Sequence, residues 1–163
     1  MRMLASGASV RGPAHQLDGT PNQDAMCVRG LRGGLCIAVA DGLGSRPLSH
    51  LGSRKAVQLF RQLARQRQGM LHGTVALTLR DAWLAHFGDR YRAHETTCLW
   101  AQVDIYGQGM AGQVGDGMLL VRSQGVFKVL TNRRQGFGNQ TATLAQVNSQ
   151  DGCSAEFVLT QPG

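Results

Sequence analysis

Three aspartates stand where apolar, strand-like runs stop: Asp24 in "PNQDA", Asp41 in "VADG" and Asp116 in "QVGDG". Two of them precede a glycine. A carboxylate at the end of a buried strand loses hydration and needs a partner to offset that loss. Few Lys or Arg lie within these motifs to supply one. A divalent cation would, because hard ions such as Mg²⁺ and Mn²⁺ take carboxylates, carbonyls and water. A glycine after the aspartate lets the backbone turn so that its own carbonyl can also face the ion. Asp-Gly pairs are equally ordinary turn formers, and one pair alone says no more than that. Three acids at comparable strand ends, with Gly42-Leu43-Gly44 opening toward a helical pattern, shift the balance toward metal without deciding it.

The elements that must position these acids follow from periodicity. Residues 25–30 and 34–40 read as two strands joined by the turn "LRGG". The second is a continuous apolar run, the pattern of a strand covered on both faces. Residues 41–47 are loop, punctuated by Gly42, Gly44, Ser45 and Pro47. From 49 to 67 the apolar positions Ala56, Val57, Phe60, Leu63 and Ala64 fall on one helical stripe. Gly69 and Gly73 interrupt the chain, and a second helix is expected over 74–92, with Thr74 as its N-cap. The period then changes to two. Thr97, Leu99, Ala101, Val103 and Ile105 share one face of a strand, and the segment from Met110 returns after the turn at 107–109. Residues 118–123 and 126–131 form a hairpin, 132–141 a loop, and 142–147 and 155–160 weaker strands.

Two strands, two helices and a run of antiparallel strands make an α+β layout rather than a βαβ one. Helices on one side of the sheet leave its other face uncovered, so a second sheet or another element must pack there. The whole chain of 163 residues reads as a single domain, without repeats or low-complexity linkers.

Composition narrows the class. Apolar residues make up 42%, which excludes a disordered chain. No apolar run approaches the roughly 18 residues of a membrane span, and residues 1–12 lack the apolar block of a signal peptide. Cytoplasmic is the default expectation. Cys27, Cys36, Cys98 and Cys153 are far apart, with no metal-site spacing, and read as reduced core thiols. The net charge of +7 fits an affinity for anions. The basic residues Arg54, Lys55, Arg61, Arg65 and Arg67 alternate with apolar positions as a solvated helix face would. Aromatic residues, at 6%, are too sparse for a base-stacking surface.

The blocks "NQDA", "VADGLGS…SHLGSRKAV" and "TTCLWAQV…GQGMAGQVGDGMLLV" resemble the bacterial metal-dependent protein phosphatases of the PPM family, the protein phosphatase 2C group. They come in the family's order and at its approximate spacing over residues 10 to 131. "HQLDGTPNQDA" and "GFGNQTATL" are similar to a short bacterial branch. The resemblance implies a four-layer αββα sandwich: two antiparallel sheets face to face with helices outside, here C-terminally incomplete. It also implies two Mn²⁺ or Mg²⁺ ions, with a third bound more weakly. A metal-activated water would attack phosphoserine or phosphothreonine in a protein substrate. By the same resemblance Asp41 would bridge both ions and the Gly42 carbonyl would bind one. Asp24 would bind or orient metal-bound water, and Asp116 would serve the weaker ion.

The family uses two further aspartates, in a Ser/Thr-Asp-Gly motif and an Asp-Asn or Asp-Asp motif, and neither motif occurs in these residues. Asp151-Gly152 follows "NSQ" rather than an apolar strand and does not substitute. Weak or absent activity is therefore expected of the 163-residue chain. Gly19 stands where many relatives place a phosphate-binding arginine, leaving Arg11, His15 or Arg46 as candidates. The competing readings are a non-catalytic module of the same fold that binds a partner or phosphopeptide, and nucleic-acid binding through Arg54–Arg67. The latter has no base-reading motif to support it, and neither a nucleic-acid nor a membrane partner is expected.

Overall fold

The computed structural model describes residues 3–66, 75–131, 141–148 and 153–159. A short helix α1 (Pro13–Leu17) precedes the hairpin β1 (Ala25–Leu31) and β2 (Gly34–Ala40). Helices α2 (Ser49–Gln66) and α3 (Val75–Phe87) follow, then a 3₁₀ helix at Gly88–His94. Next come β3 (Cys98–Asp104), β4 (Gln108–Val114), β5 (Leu119–Ser123) and β6 (Val126–Thr131). A 3₁₀ turn at Leu144–Gln146 and β7 (Cys153–Val158) complete the order.

Among the described residues these strands make two antiparallel sheets, one ordered β1-β2-β3-β4-β7 and the other β5-β6. Helices α2 and α3 cover one face of the larger sheet. Many strand residues beneath them are small (Ala25, Cys36, Ala38, Ala40 and Cys98), and Phe60, Leu79 and Trp83 fill the space above. Phe60 meets Trp100 with ring centroids 6.1 Å apart. Trp83 Nε1 donates to the Gly52 carbonyl at 3.0 Å, tying α3 to α2. On the other face Leu35, Ile37, Ala101 and Val103 look toward Leu119, Val121 and Leu130 of the small sheet, around an apolar cavity of about 250 Å³. The molecule is thus α+β with two antiparallel sheets, as expected. An outer helix layer over the second sheet is not among the described residues.

Several local expectations are corrected. The second helix was expected to reach 92 but ends at Phe87, because Gly88 takes φ +54° and stops the α-helical ladder. Residues 144–146 are 3₁₀ rather than part of a strand over 142–147: Thr143 caps the turn, and its N–H donates to Gln146 Oε1 at 3.0 Å. The helix at 13–17 was not anticipated, although Pro13 suits the first helical position. Strand β2 is covered on both faces as expected, but unevenly: Leu35 and Ile37 are half-buried toward the small sheet, while Val39 on that face is 50% exposed. Thr74, Arg67, the two glycine interruptions, residues 132–140 and the Cys153 side chain lie outside the described residues. Arg54 and Arg65 are exposed as a solvated face requires. Cys27, Cys36 and Cys98 form no disulfide. Burial pushes all three thiols up, Cys36 to about 11, so they stay protonated.

Candidate functional site

The register of the first hairpin brings two of the acids together. Ala25 pairs with Ala40 and Leu31 with Gly34, so one step further along the same ladder Asp24 falls opposite Asp41. The ladder continues one residue more, where the Gly42 N–H donates to the Gln23 carbonyl at 3.2 Å. Gly42 also forms an isolated bridge with Thr96, extending the β2–β3 register. Asp116 follows β4, whose Val114 pairs with Cys98 of β3. The three acids therefore sit at one end of four neighbouring strands.

The backbone of Asp41 is clamped from β3. Its carbonyl accepts from the Thr97 N–H at 2.8 Å and from Thr96 Oγ1 at 2.9 Å, and its N–H donates to Thr97 Oγ1 at 3.1 Å. Asp24 sits in a local turn in which its N–H donates to Asn22 Oδ1 at 3.1 Å. The segment is fixed from α2, where the buried Ser53 hydroxyl donates to the Gln23 carbonyl at 2.6 Å. Gly42 owes its identity to crowding rather than to an unusual turn. A Cβ there would lie 2.7 Å from the Gln23 carbonyl oxygen and 2.8 Å from Ser49 Cβ.

A pocket of about 530 Å³ opens over this edge, lined by Asp24, Asp41, Gly42 and Gly44 together with Val10 and Gly12–His15. Partial burial in this pocket raises the Asp41 carboxyl to about 6, and the neighbouring charges of Asp24 and then Asp116 add to the effect. No basic side chain is among the groups acting on it. Asp116 stands two strands from Asp41, a separation of about 10 Å at ordinary strand spacing. Its charge is felt at Asp41, while its Oδ2 accepts from Thr141 Oγ1.

The phosphate-binding candidates divide. His15 lines the pocket. Arg11 does not, and its Nη2 donates to the Gln16 carbonyl at 3.4 Å. Arg46 is outside the lining too, with its Nε 2.6 Å from Glu95 Oε2. Thr96, Thr97 and Glu95 were not singled out from the sequence, because a Thr pair opening a strand reads as ordinary β composition and the partners of Glu95 are distant in the chain.

The donors suit a hard cation in kind: hard oxygens, an excess of negative charge, and no Lys or Arg among the described lining residues. Among the described residues no group of three His, Cys, Asp or Glu side chains converges on one point. The carboxylates at the pocket are thus a partial set, Asp24 and Asp41 adjacent and Asp116 apart.

Comparison with known families decides the lineage. The profile described as protein phosphatase 2C matches residues 11–162. The chain belongs to the protein phosphatase 2C family. The search of curated proteins gives no match. Among solved structures this protein phosphatase 2C chain is similar to the photosystem II phosphatase PBCP, with TM-score 0.68 and 19% identity over 93% of this chain and 59% of that one. A bacterial serine phosphatase carrying an arginine-to-glutamate substitution gives TM-score 0.67 at 14% identity, over 86% of this chain and 66% of that one. The phosphatase domain of the cell-fate determinant SpoIIE from Bacillus subtilis gives 0.53 at 16% identity, over 85% of this chain and 55% of that one. At these identities the likeness is one of fold. The chain spans 55–66% of the length of these structures.

Proposed function

We propose that this chain carries part of the catalytic centre of a serine/threonine protein phosphatase, with Asp24, Asp41, the Gly42 carbonyl and Asp116 as the donors for Mn²⁺ or Mg²⁺. The observation that carries the reading is the pairing of Asp24 with Asp41 at the end of one hairpin, in a pocket where partial burial and like charge push Asp41 up to about 6. Divalent ions bound there would lower the pKa of a water and neutralise phosphate charge. The residues themselves do the placing. Thr96 and Thr97 hold the Asp41 backbone so that its carboxylate keeps to the pocket. Ser53 holds Gln23 and with it the approach to Asp24. His15, in the lining of the same pocket, would orient the phosphoryl group of a phosphoserine or phosphothreonine side chain.

With a partial donor set, the 163-residue chain should bind Mn²⁺ weakly and turn over little substrate. Calorimetric titration with Mn²⁺ and hydrolysis of an aryl phosphate test both parts. The expected result is weak Mn²⁺ binding that Asp41→Asn removes, with hydrolysis near background. Failure of the native chain to bind Mn²⁺ sinks the metal assignment. Robust Mn²⁺-dependent hydrolysis lost in Asp41→Asn overturns the weak-activity part.

A further inference from the structure

Glu95 is a buried carboxylate whose two oxygens are divided between two different segments. It is 6% exposed. Oε2 lies 2.6 Å from Arg46 Nε, in the loop that follows Asp41. Oε1 accepts from Thr143 Oγ1 at 3.2 Å, in the segment whose Thr141 holds Asp116. Main-chain bonds run alongside: Leu43 N–H donates to the Glu95 carbonyl at 3.0 Å, Leu48 N–H to the Ala93 carbonyl at 2.9 Å, and Leu144 N–H to the Thr96 carbonyl at 2.8 Å. A buried charge keeps its place only when paired and hydrogen-bonded, so neither segment can shift without leaving this carboxylate exposed to the full desolvation cost.

We propose that Glu95 is a positioning residue that locks the Asp41 loop and the Asp116 segment at a fixed separation, with Arg46 as its clamp rather than a phosphate ligand. The inference rests on the metal-binding reading above, because the separation it fixes is that of the proposed donors. Glu95 and Arg46 touch neither substrate nor metal; they act through the backbone of the loop.

Two measurements on the full chain decide it. In the first, Mn²⁺ affinity is titrated for Glu95→Gln, Arg46→Gln, the double variant and Arg46→Lys. Each glutamine variant should lose about tenfold in affinity, as outer partners of a metal site do. The double variant should be no weaker than either single one, and Arg46→Lys should keep most of the affinity. A contribution to global stability alone would leave the affinity of the folded protein unchanged. In the second, amide hydrogen exchange is followed without metal: Glu95→Gln should speed exchange at Leu43 and Leu144 together. Losses that multiply in the double variant, or faster exchange at Leu43 with Leu144 unmoved, would overturn the lock. If the native chain binds no Mn²⁺, the phosphatase reading falls while the exchange measurement still decides the lock. Arg46 is 42% exposed at its side chain, so Arg46→Gln carries both measurements should Glu95→Gln fail to fold.

Discussion

At the scale of the residue, Asp41 is a group the fold disfavours as an anion and a bound cation would favour. Partial burial first, then the charges of Asp24 and Asp116, raise its carboxyl from 3.8 to about 6. Between those values the folded chain holds a proton that the unfolded chain has released. This group's contribution to stability is therefore present below the unfolded value and lost as pH rises through about 6. Urea denaturation of the metal-free protein should show the midpoint falling across that window, and Asp41→Asn should flatten the fall and stand above the native chain at pH 7. A native midpoint that rises over the same range would contradict the clustering of these acids. Gly42 makes a second residue-scale prediction. With Gln23 and Ser49 within 2.9 Å of any added Cβ, Gly42→Ala should cost about 2 kcal/mol in the same assay, the usual scale of overpacking. The acids are legible in the sequence because a carboxylate closing an apolar run violates the pattern around it. The reason offered there for Gly42 is not the one the structure gives, since crowding across three segments leaves no trace in one sequence.

At the scale of the element, the hairpin explains why sequence spacing succeeds at the site. A two-residue connection, Arg32-Gly33, makes the register symmetric, so positions that sum alike pair, and Asp24 meets Asp41 with no tertiary information needed. Helix α2 is equally legible, since Ala56, Val57, Phe60 and Ala64 on its stripe are buried, joined by Ser49, Gly52 and Ser53 in its first turns. The end of α3 is not, because a helical pattern continues through Gly88 while the backbone there turns left-handed. The short capped turn at 144–146 is hidden for the opposite reason: its apolar residues Leu144 and Val147 are buried like strand residues, and only the capping bonds of Thr143 tell them apart. Helix pairing also depends on one polar contact inside an apolar seam. Trp83→Phe keeps an aromatic ring but removes the N–H that bonds the Gly52 carbonyl and leaves a small void. It should destabilise by about 1–3 kcal/mol, the scale of one lost buried hydrogen bond and a reduced core side chain. A loss in urea midpoint with unchanged Mn²⁺ affinity would place that contact in the scaffold; a parallel loss of Mn²⁺ affinity would tie the α2–α3 seam to the site.

At the scale of the whole molecule, the layers are unequally covered. The five-stranded sheet is closed by helices on one face, whereas nothing among the described residues covers the outer face of the two-stranded sheet. Leu120 pairs with Val129 and Arg122 with Phe127, which puts these four residues on one face, where Phe127 is 67% exposed. The Arg122 guanidinium stands 5.4 Å from the centre of the Phe127 ring and covers part of it. Two forces then compete between copies of the chain. A net charge of +7 drives them apart, and the apolar face left open among the described residues draws them together. Repulsion is screened within about 10 Å at 0.1 M salt, while apolar burial is not. Association of the 163-residue chain should therefore grow with salt, the reverse of pairing through charges. Phe127→Glu removes the largest ring from the patch and sets a carboxylate directly across from Arg122, a cross-strand pair whose gain or loss is within about 1 kcal/mol. Sedimentation velocity in low and high salt should show the native chain shifting to larger species while Phe127→Glu stays monomeric at a nearly unchanged urea midpoint. If the variant still associates as the native chain does, the contact lies elsewhere, and the basic face of α2 around Arg54 and Arg65 becomes the surface to alter next.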